Sequence, residues 1–232
     1  MAGVLCHNGP CKPWTQTGCR SCGVRPMKVY QGNSGSKEVV AWCHENGYGI
    51  LISPGYWKTP TRYPYYCLDN GAFPAWINNR TWEAEPFLIH LEKAIASEIS
   101  PDFAVCPDKV AAGEESLRFS LDWMDKLPSG PRYYLAVQDG MHPADVECAL
   151  QKFAGLFVGG TMDWKLNTAP IWVDLAHRHN KPCHIGRVGP WFNILWAVNI
   201  GADSIDSTTW TRYTDRRYHL AYAKMQQMLE VA

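Results

Sequence analysis

The sequence has no excess of either charge. Its 22 Lys and Arg stand against 22 Asp and Glu, for a formal net charge of +0 and a pI near 7.1. That excludes a generally basic nucleic-acid coat, although a local patch can still form. No apolar run reaches about 18 residues, so no membrane-spanning helix is expected. Residues 1–10 lack a charged segment followed by an apolar one, so no secretory signal is expected. The nine cysteines are an odd number for a disulfide scaffold. Cys43, Cys67, Cys106, Cys148 and Cys183 fall inside predicted strands or helices. Reduced thiols in a soluble cytoplasmic protein fit that pattern. His177 and His179 are two apart on a predicted helix and share no face, and His184, inside a strand, can point either way. With no barrel-type metal motif near the first strand, metal-dependent hydrolysis is disfavoured.

What is present is 46% hydrophobic residues in a chain of 232, enough for one domain with a sizeable core. The 11 tryptophans serve either packing or stacking surfaces in a cleft. Residues 1–28 differ in texture, a cysteine-rich arm preceding residues 29–232. Cys6, Cys11, Cys19 and Cys22 are candidate ligands of a structural zinc ion, because four thiolates leave no open position for chemistry. The alternative is an arm of free thiols.

From Lys28 onward short apolar segments alternate with helical ones. Strands are predicted at Val29–Tyr30, Gly49–Ser53, Tyr65–Asp69, Asp102–Cys106, Tyr133–Val137, Gly155–Gly159, Cys183–Gly186 and Asp203–Asp206. Helices are predicted at Ser36–Glu45, with Ser36 as N-cap and Gly47 as stop, then at Trp82–Glu98, Glu114–Leu127, Pro143–Phe153, Ala169–Asn180 and Pro190–Ile200. An amphipathic helix over Tyr218–Glu230 closes the chain, and Pro54–Pro64 is a loop. Eight strands separated by helical segments predict parallel pairing and a closed TIM (β/α)8 barrel. The alternative is an open doubly wound sheet, weakened because no G-x-G-x-x-G follows the first strand.

Five strands end in polar groups: Asp69-Asn70, Pro107-Asp108, Gln138-Asp139-Gly140, Gly159-Gly160 and Asp206. In a barrel these ends converge on one face. Each alone reads as a turn or helix cap. Together they form a cleft whose carboxylates repel, raising some pKa values into the range for acid–base work.

These residues resemble the tRNA-guanine transglycosylase superfamily. Asp69-Asn-Gly-Ala-Phe73 is similar to its Asp-Ser-Gly-Gly-Phe/Tyr motif, and Ala154–Gly159 to its Gly-Gly-Leu-Ala-Val-Gly motif. His184–Gly189 resembles its Leu-Met-Gly-Val-Gly strand, and Gly201–Arg212 its Gly-Ile-Asp-Met-Phe-Asp-Cys…Thr-Arg segment. The ordered set runs from Asp69 to Arg212. The resemblance implies a TIM barrel in which Asp206 attacks the ribose anomeric carbon and Asp69 acts as general acid and base. It implies that Asp108 and Gln138 read the purine edge and that Gly155 gives a backbone donor. Phe73 and Ile185 would sandwich the ring, with Asn70 also near the base. Covalent catalysis by a carboxylate needs no cofactor.

The sequence departs from the tRNA enzymes in length and in having no Cys after Arg212. It looks more like the short phage-type relatives that insert 7-deazaguanines, such as 7-cyano-7-deazaguanine, into DNA. The expected partners are therefore DNA and a 7-deazaguanine base, in the host cytoplasm for a phage-encoded chain, with tRNA as the alternative polymer. Arg187 has no counterpart in the tRNA motif and adds a charge at the site mouth. Arg212, Arg216, Arg217 and Lys224 form either a phosphate-binding group or a solvated helix face. A retaining glycoside hydrolase and a catalytically silent nucleic-acid-binding module remain as competing readings.

Overall fold

Short apolar segments hydrogen-bond side by side, and the helical segments between them cover the outside of the sheet they make. The computed structural model describes residues 5–6, 9–10, 27–32, 34, 36–57 and 60–223. In chain order, β1 (Lys28–Gln31), α1 (Lys37–Asn46) and β2 (Gly49–Ile52) lead to β3 (Tyr66–Leu68), α2 (Ala72–Ile77) and α3 (Glu85–Ile95). Then come β4 (Ala104–Val105), α4 (Gly113–Met124), β5 (Tyr133–Val137), α5 (Pro143–Ala149) and β6 (Gly155–Val158). The chain continues through α6 (Met162–Arg178), β7 (Cys183–Ile185), α7 (Trp191–Asn199), β8 (Ser204–Ser207) and α8 (Thr209–Arg212).

All eight of these strands are parallel and close into a barrel in sequence order, with β8 pairing β1 through Asp206 opposite Tyr30. The fold is a single-domain (β/α)8 barrel, as the alternation of segments predicts. No helix among the described residues is long and apolar enough to cross a membrane.

Side-chain alternation sorts the strands into two cores. Tyr30, Leu51, Cys67, Phe103, Val105, Tyr134 and Ala136 fill the barrel interior. Val29, Ile50, Leu68, Leu135, Val158, Ile185 and Ile205 face the other way and pack with helix residues such as Phe87, Val146 and Trp172. Each large apolar side chain removed from water contributes about 1.5–3 kcal/mol. Both faces are therefore committed, which explains why the strands read as continuous apolar runs.

Several boundaries differ from expectation for local reasons. Gly47 does end α1, in the left-handed conformation at φ 66°. The second predicted helix, Trp82–Glu98, starts later, at Glu85, and the short α2 has no predicted counterpart. Six residues with Pro74 near the start carry too little periodicity to be read. α6 begins seven residues before the predicted Ala169, with Pro170 tolerated inside it. The predicted helix Pro143–Phe153 tightens into a 3-10 turn at Leu150–Lys152. Residues 218–223 open the predicted closing helix, whose remainder lies outside the described residues. In the arm, Leu5–Cys6 pairs antiparallel with Gly9–Pro10. Of the candidate zinc set, Cys11, Cys19 and Cys22 lie outside the described residues.

Candidate active site

A cavity of about 430 Å³ opens at the C-terminal ends of the strands. Asp69, Asn70, Phe73, Asp108, Gln138 and Asp206 all line it, so six of the eight residues predicted for catalysis and base binding meet in one place. Gly155 and Ile185 do not. Gly155 opens β6, at the far end of the strand from the cavity. The ring of Tyr134 fills the barrel there, 2.8 Å from where a Cβ on Gly155 would stand. The glycines that line the cavity are Gly159 and Gly160, at the strand's other end. Ile185 is buried and packs into the outer core. Strand alternation turns it toward the helices and turns His184 inward.

His184 is the site residue that sequence reasoning left undecided. Its ring is fully buried, and Nε2 lies 2.9 Å from Asp206 Oδ1 while Nδ1 lies 2.8 Å from Ser204 Oγ. Asp206 Oδ1 also accepts the backbone N–H of Arg187 at 3.2 Å. Burial lowers the His184 pKa, offset only in part by the carboxylate beside it. Gly186 makes the close approach feasible. A Cβ there would stand 2.7 Å from the Phe157 ring and 3.3 Å from Asp206 Oδ1.

The remaining two carboxylates are set differently. Removal from water pushes Asp69 up to about 6, with Asp206 adding to the rise and donors from Gly71, Ser53 and Asn70 opposing it. Asp108 is pushed up to about 7, again by burial first. Its Oδ1 accepts Asn70 Nδ2 at 2.6 Å, and its Oδ2 accepts Gln138 Nε2. Asn70 Nδ2 also reaches Cys106 O at 2.8 Å, and Asn70 Oδ1 takes the Ala72 N–H at 2.8 Å. Gln138 Oε1 accepts the Gly160 N–H at 2.9 Å. Asp108 and Gln138 thus form a fixed array: a carboxylate with spare acceptor capacity beside an amide with one N–H still free.

Two cations belong to the same region. The Arg187 guanidinium lies 3.9 Å from the Phe73 ring centroid and donates to Gly160 O, on a backbone at φ 60°. Lys165 on α6 is fully buried and donates to Gly186 O. Burial, reinforced by Arg187, brings its pKa down to about 7. No sequence signal marked Lys165, since helical lysines are ordinarily solvated.

The members of the expected basic group stand in different surroundings. Arg212 lines the cavity, and Arg216 packs over Tyr213 at 4.6 Å. Arg217 is already used by Glu38 at 2.7 Å, the Trp210 carbonyl and the Trp42 ring. Lys224 lies outside the described residues. His177 pairs with Asp203 at 2.9 Å and His179 with Glu147 at 2.7 Å, so the two histidines serve separate partners. Among the described residues no cluster of three or more His, Cys, Asp or Glu could hold a metal ion. Compared with known proteins, the chain matches no family model and no curated protein.

Proposed function

We propose that the barrel exchanges guanine in DNA for a 7-deazaguanine base through a covalent glycosyl intermediate on Asp206. The observation that carries the reading is one cavity holding Asp206, Asp69 and the Asp108–Gln138 array together. A volume of about 430 Å³ lies within the range of small-molecule pockets. Asp206 supplies a nucleophile for the ribose anomeric carbon, so that base exchange becomes two displacements at one centre. Asp69, raised to about 6, suits a group that gives a proton to the departing base and takes one from the incoming base. Ionised Asp108 accepts from the N1–H and amino donors of a guanine edge, and such charge-assisted bonds favour guanine over bases without those donors. Phe73 offers a stacking face. A target inside duplex DNA has to be extruded or presented in a single strand.

The test is release of labelled guanine from DNA when a 7-deazaguanine is supplied to the purified chain, with mass analysis of the product nucleosides. Exchange is expected in wild type and absent in Asp206→Asn. An Asp206→Asn variant that exchanges normally overturns the nucleophile assignment. Sugar release with no purine requirement would instead indicate a retaining glycosidase. Running tRNA in parallel with DNA identifies the polymer.

A further inference from the structure

Asp206 has two oxygens, and the protein treats them differently. Oδ1 takes both donors, His184 Nε2 at 2.9 Å and Arg187 N at 3.2 Å. Among the described residues no hydrogen bond reaches Oδ2. A carboxylate has no proton to offer, so Nε2 carries the hydrogen in the His184–Asp206 contact. Nδ1 is then the acceptor, and Ser204 donates its hydroxyl hydrogen at 2.8 Å. The imidazole cannot turn away from this arrangement. Phe157 stacks on it at 4.7 Å and 17°, with Phe103 at 5.2 Å and Tyr30 at 5.8 Å around it. These contacts make a chain of Ser204, His184 and Asp206 within the barrel, ending at the proposed nucleophile.

We propose that His184 is a positioning residue: it reserves Oδ2 of Asp206 as the attacking oxygen and restores the carboxylate when the incoming base arrives. The proposal rests on the transglycosylase reading above. In the first half, Oδ2 bonds to C1′ as the C1′–N9 bond breaks. The electron pair leaves with guanine, which takes its proton from the Asp69 carboxyl. Oδ1 becomes the ester carbonyl oxygen, still bonded to His184. In the second half, N9 of the deazaguanine bonds to C1′, its proton passes to Asp69, and the C1′–Oδ2 pair returns to Asp206. A hydrogen bond to an anionic oxygen is about twice as strong as one to a neutral oxygen. The His184 bond therefore strengthens as the carboxylate is released, and the second half gains most from it. A buried ring held neutral makes this donation without itself gaining charge.

The groups facing Asp206 are His184 from β7, Arg187 from the turn after it, Lys165 from α6, and Asp69 and Cys67 from β3 and its end. His184→Phe keeps an aromatic ring in the box and removes both hydrogen bonds. His184→Gln restores a donor. Two readouts separate positioning from mere folding. One is turnover together with the fraction of protein trapped as a covalent DNA adduct at steady state. The other is titration of the Asp206 carboxyl by NMR in the free protein, which needs no activity.

In His184→Phe, turnover is expected to fall about 100-fold, the size of losing one preorganised donor to a developing charge. The adduct fraction should rise because its breakdown is slowed. The Asp206 carboxyl should titrate at higher pH than in wild type, and His184→Gln should recover part of each effect. A folded His184→Phe protein with wild-type turnover, adduct fraction and Asp206 titration overturns the proposal. An unaltered Asp206 titration overturns it even where turnover falls. A shifted titration in a protein whose wild type exchanges no base on any polymer removes the transglycosylase reading and keeps His184 as the group that holds Asp206.

Discussion

The guanidinium of Arg187 covers one face of the Phe73 ring, 3.9 Å from its centroid. A planar base cannot enter so narrow a gap, so stacking on that face of Phe73 requires Arg187 to move. The expected second wall, Ile185, is turned away, and Arg187 stands in the cavity instead. Arg187→Ala removes a cation–π contact of about 0.5–1 kcal/mol that an incoming base has to displace. Binding of free 7-deazaguanine should tighten about 2- to 5-fold, measured by calorimetry. Weaker or unchanged binding would show that the base does not use that face.

On the proposed function, Asp108 sets the pH dependence of base recognition. Its folded pKa of about 7 means that the acceptor form is lost as pH falls through neutrality. The dissociation constant of the base should rise as pH drops below about 7. Asp108→Asn should weaken binding about 10- to 100-fold at pH 8, the worth of hydrogen bonds to a charged group, and make it flat with pH. A pH-independent wild type would contradict this role.

On the same reading, Asp69 acts in the opposite sense in the first half of the proposed reaction. With its pKa raised to about 6, the proton-donating form disappears as pH rises above that value. Formation of the covalent adduct without an incoming base should therefore slow toward alkaline pH. Asp69→Asn should slow it about 10²- to 10⁴-fold and abolish that dependence. Single-turnover quench measurements across pH decide the matter.

Lys165 predicts a stability effect. Its folded pKa is about 7, against an ordinary 10.5. Between those values the unfolded chain holds a proton that the folded chain does not. Stability from this group therefore rises with pH across that window, and the burial cost is complete below about 7. Lys165→Met removes the charge and the bond to Gly186 O together. Its stability relative to wild type should be greatest at or below pH 7 and decline as pH rises toward 10, in urea unfolding at several pH values. A difference that does not vary with pH would place the Lys165 proton elsewhere.

The barrel and the carboxylates were legible because both depend on position along a strand. Apolar segments separated by helices imply parallel order, and Asp69, Asp108 and Asp206 then fall at one end whatever their side chains touch. Facing was not legible. In Cys183-His-Ile185 all three residues are buried, so the alternation that separates His184 from Ile185 leaves no polar–apolar signature. The misplacement of Gly155 has a related cause, since a motif locates a strand without saying which of its glycines reaches the cavity. Arg217 looked available because a basic residue in sequence carries no mark of the Glu38 and Trp42 that engage it. Lys165 stayed invisible because its burial depends on the turn at Gly186, brought to it by tertiary packing alone.

Closure of the ring through β8 and β1 also gives the molecule a timetable. During synthesis the first seven strands can assemble only an open sheet, with β1 and β7 as bare edges. The segment that seals both edges is the one that carries Asp206. The nascent chain therefore acquires its proposed nucleophile and loses its sticky margins in one event. A ribosome-bound intermediate stalled before β8 would lack the proposed nucleophile and be prone to pair with its neighbours at the same time.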